Sequence, residues 1–305
     1  MIHTKCILCD RDGKKLTRNN LAMRQCHQCS LVWRETFDVP IEHYESKEVN
    51  LSPHKVQARL ANCKERIAIA SRYIEMNNVC DIGCGEGLFL VALKELGYHH
   101  SMGIEPSEVI EHFKNDNHLT IYKGTIDDVC ALVKGKGVRV FTMFHLIEHL
   151  ADPIRALRAL KGCMANGDHL MIETPDIDSY IFKISDYKNP LVYPEHLFYF
   201  NRPNLKKLLD QCGFHAITWG KRGFNQKNMS IRESLQRLGV MTYHQVAKDP
   251  EARTEDQTKP HSGAAMAREA TGIQKYLVNF VRKALNILVV MLQRTDYQWI
   301  IAKKV

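Results

Sequence analysis

The 305-residue sequence has no apolar run of the about 18–20 residues that cross a bilayer, so no membrane span is expected. Its opening stretch, MIHTKCILCDRDGKK, has no apolar signal core. Together these absences point to a cytoplasmic protein. Internal repeats and low-complexity tracts are missing too, which leaves an ordinary globular chain, 45% hydrophobic and 25% charged. The length suits one large domain with attachments or two modest ones. A formal net charge of +8 leans towards anionic partners without choosing among nucleic acid, a phosphorylated substrate and an anionic membrane surface.

Cysteine, in contrast, is plentiful, with ten in all. Without an export signal these read as thiols, some of them metal ligands, rather than disulfides. Cys6-Ile-Leu-Cys9 and Cys26-His-Gln-Cys29 are two CxxC knuckles with sixteen residues between them. Each knuckle offers two thiolates from one tight corner, and two corners complete the tetrahedron zinc prefers. Cys6, Cys9, Cys26 and Cys29 are therefore predicted to hold a structural zinc, with Gly13 and the polar run between the knuckles forming a hairpin. His3 and His27 are bystanders. Such a ribbon, residues 1–40, is too short for a core of its own, so metal would supply folding energy.

Residues 41–76 read as a linker and a helix, with Val56, Leu60, Ile67, Ala70 and Ile74 on helical spacing over 55–75. Strands then alternate with helices. Strands are expected at 79–82, 101–105, 120–123, 138–144, 169–173 and 214–219, and helices at 88–96, 107–115, 153–164 and 204–212. This is the pattern of a parallel sheet covered on both faces. Residues 225–294 break the rhythm as a helical insertion. Within it, 248–272 are polar and expected to be mobile, and 273–292 form an apolar helix. Residues 297–302 are a last strand, expected antiparallel beside 214–219.

The most informative stretch is Val79-Cys80-Asp81-Ile82-Gly83-Cys84-Gly85-Glu86-Gly87. Three glycines between a strand and a helix allow a sharp turn and a ligand laid against the backbone. The spacing is GxGxG, neither the GxxxxGK[ST] of a P-loop nor the GxGxxG of a pyrophosphate site. Asp81, two residues before Gly83, would repel pyrophosphate and welcome a cationic amino group. Glu105, followed by Pro106, ends the second strand where such folds read ribose hydroxyls. A ribose and a cationic end without pyrophosphate fit S-adenosylmethionine.

Here the chain resembles the class I S-adenosylmethionine-dependent methyltransferases, over about residues 70–224 and the final strand. The resemblance implies a Rossmann-like seven-stranded α/β sheet with helices on both faces, its core at 77–224 and its last strand in 295–305. It implies that Asp81, Gly83, Gly85, Gly87, Glu105 and Pro106 bind cofactor, that Asp127 in Thr125-Ile-Asp-Asp128 lies near the adenine amine, and that Phe144-His-Leu-Ile-Glu-His-Leu150 is the end-of-strand-four signature. In ubiquinone-type O-methyltransferases the last stretch carries a divalent metal. Here His145 stands where a carboxylate would be expected, so a second metal is not predicted.

Catalytic candidates are His145, Glu148 and His149 after the fourth strand, and Tyr193, Glu195 and His196 in Tyr-Pro-Glu-His-Leu-Phe-Tyr-Phe. Glu148 and His149 serve equally well as braces of the following helix. The second element resembles the Tyr-x-Glu-His of zinc-ribbon sugar C-methyltransferases that act on nucleotide-activated keto sugars. That resemblance implies His196 as the base, supported by Tyr193 and Glu195. His43 and Tyr44 are candidates for a lid. The long second α/β domain of those enzymes is missing here, which leaves C- and O-methylation both open.

The expected acceptor is a small, sugar-containing molecule in glycan or secondary-metabolite biosynthesis. A nucleic-acid-modifying enzyme reading through the basic ribbon is the alternative; it is disfavoured because the ribbon lacks interleaved aromatics and strand four lacks an Asn/Asp-Pro-Pro-Tyr-type motif. The apolar helix 273–292 is expected as core or a homodimer face, ahead of peripheral membrane contact.

Overall fold

The computed structural model describes residues 2–18, 20–37, 52–108, 119–179, 192–222, 277–278, 280–281, 283–285, 288 and 295–305. The candidate lid residues His43 and Tyr44, the helix expected at 107–115 beyond residue 108, and the polar segment 248–272 lie outside them.

The main sheet has seven strands: β4 (Val79–Ile82), β5 (Ser101–Glu105), β6 (Ile121–Lys123), β7 (Val140–Phe144), β8 (His169–Pro175), β10 (Phe214–Arg222) and β11 (Tyr297–Lys304). Their order is β10-β11-β8-β7-β4-β5-β6. The pairs among β6, β5, β4, β7 and β8 are parallel, and β11 is antiparallel to both β8 and β10. This is the Rossmann-like α/β class expected. The last strand does pair with β10, and it also inserts between β10 and β8.

Burial on both faces explains the apolar strands. Trp299 and Ile301 of β11 join one core cluster with Ile67 of α1 (Pro53–Ala70) and Leu93 of α2 (Leu88–Glu95). Ile300 and Ala302, alternating with them, join the other with Leu160 of α4 (Pro153–Cys163) and Leu208 of α5 (Arg202–Gln211). The short α3 (Val129–Val133) lies between β6 and β7 in the chain. Helix starts follow local chemistry. Asp152 accepts from the Arg155 amide ahead of Pro153, and Asn201 and Asn204 form a reciprocal capping box.

The ribbon consists of β1 (Gly13–Arg18), β2 (Leu21–Cys26) and β3 (Val32–Arg34), and its sheet continues into β9 (Phe198–Tyr199) of the core. The sequence showed neither β3 nor this pairing. Gly13 is required because a Cβ there would lie 2.4 Å from the Trp33 ring. Cys6, Leu8, Cys26, Leu31 and Trp33 share the core cluster of Leu208. The ribbon is thus built onto the sheet rather than standing alone.

Of the two places expected for the apolar helix at 273–292, core or a homodimer face, the described residues exclude core. Residues 277, 278, 280, 281, 283–285 and 288 are helical, but Leu277, Val278, Phe280, Val281 and Leu288 are exposed. They are not core. Both faces of β11, the strand that follows, are already covered by other elements.

Candidate active site and cysteine cluster

The glycine loop turns as its composition demands. Gly83, Gly85 and Gly87 have φ of +73°, +51° and +73°, a region costly for other residues. A Cβ on Gly85 would meet nothing within 4 Å, so open space lies over the loop. Gly85 N–H donates to Glu105 Oε2 (2.9 Å), and Ser107 N–H and O–H both donate to Oε1. This ties the second strand's acid to the loop, and a carboxylate with about four lone-pair sites retains capacity for further donors.

Beside the loop is a cavity of about 380 Å³, lined among others by Asp81, Gly83, Phe144, His145 and Tyr297 and roofed by Arg59, Asn62 and Arg66 of α1. Asp81 is buried and accepts from the Thr142 hydroxyl (2.5 Å). Burial pushes its carboxyl up to about 7, against the Thr142 hydrogen bond and the attraction of Arg66. Arg66 itself pairs with Glu173. A buried acid on the cavity wall, an open glycine turn and a strand-end acid are groups that could hold the amino and ribose groups of S-adenosylmethionine. Pro106 is exposed, and Asp127 is exposed and ion-paired to Arg155 (2.9 Å). Glu105, Pro106 and Asp127 do not line this cavity.

Behind the cavity is a charge network that the sequence did not reveal. Glu173 of β8, with no solvent exposure, accepts from Arg66 (2.5 Å), Arg222 (2.9 Å) and His145 (3.2 Å). Arg222 also donates to Asn62 and Glu65 of α1. Burial opposes ionisation of Glu173, but the two guanidiniums and His145 hold it well below the usual carboxylate range. Arg66 lies over the Phe144 ring at 4.5 Å, and Arg59 grips Glu86 of the loop at 2.7 and 2.9 Å. Helix α1 is thereby clamped over the cavity from both ends.

His145 has φ +54°, a strained conformation for a non-glycine residue, and both ring nitrogens face carboxylates: Glu173 at 3.2 Å and Glu148 at 3.5 Å. Burial alone would lower its pKa, but the two acids outweigh this and raise it. Glu148 accepts from the Thr174 hydroxyl (3.0 Å) and is fully buried, more than a helix brace requires. Burial raises its pKa, and His145, His149 and His196 outweigh this and bring it to about 2.

The two catalytic candidate groups meet. Leu197 N–H donates to the Glu148 carbonyl (2.8 Å), and His149 Nδ1–H donates to the Glu195 carbonyl (2.9 Å). The His149 and His196 rings are 4.7 Å apart, with Tyr193 at 5.2 Å from His196 on another side. His196 is buried and Tyr193 exposed. Ligating atoms of Glu148, His149 and His196 all lie within 4.8 Å of one another.

The cysteines of the ribbon also meet. The four sulfurs lie within 4.8 Å of one another, Cys6 and Cys29 at 3.6 Å. With zinc–sulfur bonds of about 2.3 Å, a tetrahedron needs sulfurs about 3.8 Å apart. The knuckles match each other: Asp10 N–H donates to Cys6 C=O and Ser30 N–H to Cys26 C=O, and Asp10 and Ser30 both have positive φ (52° and 62°). Lys207 donates to Cys9 and Gln211 to the Leu8 carbonyl, bracing one knuckle on α5.

Comparison with known proteins identifies the family of the chain. Residues 50–218 match the family model described as a methyltransferase domain. A ubiquinone biosynthesis O-methyltransferase of Vibrio parahaemolyticus is 29% identical over 166 residues, covering 50% of this chain and 70% of that one. One from Vibrio vulnificus is 29% identical over 145 residues, 44% of this chain and 61% of that one. A tRNA U34 carboxymethyltransferase of Pseudomonas fluorescens is 26% identical over 108 residues, a third of each chain. The chain thus spans 61–70% of the two Vibrio relatives. Among solved structures, a SAM-dependent methyltransferase from Archaeoglobus fulgidus is similar at a TM-score of 0.49 and 20% identity, covering 80% of this chain and 94% of that one. With the family model matching more than half of it, the chain belongs to the methyltransferase domain family and is a class I S-adenosylmethionine-dependent methyltransferase.

Proposed function

We propose that the protein methylates a carbon or oxygen of a small, sugar-containing acceptor, with His196 as the base. The observation that carries this reading is the meeting of Tyr193, His196, His149 and Glu148 at the carboxyl end of β7, next to the cavity beside the glycine loop. Asp81 would hold the amino group of S-adenosylmethionine and Glu105 its ribose. When bound, that cofactor supplies an already activated methyl group, so the protein's task is alignment and proton removal. His196 would take the acceptor's proton as the acceptor atom bonds to the methyl carbon and the sulfur–methyl bond breaks. His145, with both ring nitrogens against carboxylates, suits positioning rather than base work. The sugar assignment rests on the Tyr193–Glu195–His196 element together with the cysteine ribbon.

The test starts with calorimetric titration of S-adenosylhomocysteine. Because the Asp81 carboxyl titrates at about 7 in the free protein, affinity is expected to be flat above pH 7 and to fall about tenfold per pH unit below it, where the carboxylate must first lose a proton. Asp81→Asn should weaken binding by about ten- to a hundredfold and remove that pH dependence. PH-independent affinity in the wild type would remove Asp81 from the site. Nucleotide-activated keto sugars are then screened for methyl acceptance from labelled cofactor.

A second reading is O-methylation assisted by a divalent cation on Glu148, His149 and His196. Two features favour it: their clustering and the named activity of the Vibrio relatives. The hydrogen bond from His149 Nδ1–H to the Glu195 carbonyl fixes its ring orientation. Loss of turnover with a chelator and its return with magnesium or manganese would select this reading over His196 as base. The tRNA enzyme's match spans only a third of either chain and adds support for the cofactor half alone.

The ribbon's four cysteines would hold a structural zinc, leaving no open position for substrate. Cys6→Ser is expected to lower zinc from about one per chain to a small fraction and to loosen the α5 contacts of Lys207 and Gln211. Full zinc content by elemental analysis would remove that assignment.

A further inference from the structure

We propose that the helix around residues 277–288 lies in the surface of an anionic membrane and so holds the enzyme at a lipid boundary. Five large apolar side chains of this helix face solvent: Leu277 (53% exposed), Val278 (55%), Phe280 (61%), Val281 (44%) and Leu288 (42%). At 100° per residue, these five fall within an arc of about 160°. They form one face, not scattered surface residues. Apolar surface gathered in this way marks a contact with something outside the chain.

Charge decides what that contact is. Between Ile273 and Arg294 the sequence has Lys275, Arg282, Lys283 and Arg294, and no aspartate or glutamate. On the same spacing Lys283 falls outside the apolar arc, and it is exposed. An apolar face flanked by cations is the signature of a helix lying in the headgroup layer. None of the described helices is long and apolar enough to cross a membrane. A second copy fits less well. A twofold interface would bring the same cations from both copies together with no acid in the segment to pair them. An anionic bilayer supplies both the apolar layer and the opposite charge.

The test is co-sedimentation of the full chain with vesicles of phosphatidylcholine alone and of equimolar phosphatidylcholine and phosphatidylglycerol. Binding is expected to the anionic vesicles, weaker to the neutral ones, and reduced by high salt. Lys283→Gln should weaken it about fivefold. The double variant Leu277→Glu, Phe280→Glu should abolish it while leaving S-adenosylhomocysteine affinity unchanged, which shows that the fold is intact. No binding by the wild type, or equal binding by the double variant, would overturn the proposal. So would a dimer that the double variant loses, in a wild type that ignores vesicles; that result assigns the face to a second copy. None of these readouts depends on the acceptor.

Discussion

His196→Asn is expected to lower turnover by about a hundred- to ten-thousandfold while leaving S-adenosylhomocysteine affinity within experimental error, the range general-base catalysis contributes. The reasoning is spatial. His196 is buried against the His149, Tyr193 and Tyr199 rings and does not line the cavity beside the glycine loop. Its loss should therefore spare the cofactor and strike the proton transfer. Asparagine keeps a polar group of similar reach, so packing against His149 should survive. A turnover close to wild type would reduce His196 to a structural role. A loss of both turnover and cofactor affinity would mean that the pocket, not the base, had failed. The pH profile separates the readings further. A base must be neutral to accept a proton, so the wild-type rate should fall on acidification and the residual rate of the variant should not.

The second large effect concerns stability. Glu173→Gln is expected to cost about 3–5 kcal/mol, because Arg222, 2% exposed, and Arg66 would share a buried site with their anion gone. For a domain of this size that lowers the melting temperature by roughly 10 °C. The sign with pH follows from the direction of the shift. Glu173 is held well below its ordinary value, so its contribution is present above the ordinary carboxylate range and is lost as pH falls through the lower folded value. Arg222→Met should cost less, since Glu173 keeps Arg66 and His145. Both variants should weaken S-adenosylhomocysteine binding, because the same network anchors α1 over the cavity. Thermal melts with and without ligand check the two effects together. Equal melting temperatures for Glu173→Gln and wild type would show the network to be dispensable.

Local features were legible because they need only neighbouring residues. The GxGxG spacing predicted a turn that only glycine adopts without strain, and all three glycines have positive φ. The paired CxxC motifs predicted a four-sulfur cluster, and the sulfurs gather. Alternating apolar runs predicted seven strands in an α/β sheet with the chain's last strand inside it. The Asp152-Pro153 helix start reads the same way, since a cap and its first turn lie within four residues.

Other features depend on contacts between distant parts of the chain, and no local pattern encodes them. Glu173 meets Arg66 across 107 residues and Arg222 across 49. Glu148 read equally as a catalytic candidate and as a helix brace, and its burial beside three histidines depends on contacts across the fold. The apolar segment near 280 read as core or a dimer face from composition alone; whether it is core depends on whether a surface remains to receive it, and both faces of β11 are already filled. By itself, then, the sequence determined the strand and helix pattern, the glycine turn and the cysteine knuckles, because backbone strain and ligand spacing act over a few residues. Only the tertiary structure decided which buried charges neutralise each other, which histidines share a site and which apolar face stays outside, because burial and Coulomb attraction act through space between residues far apart in the chain.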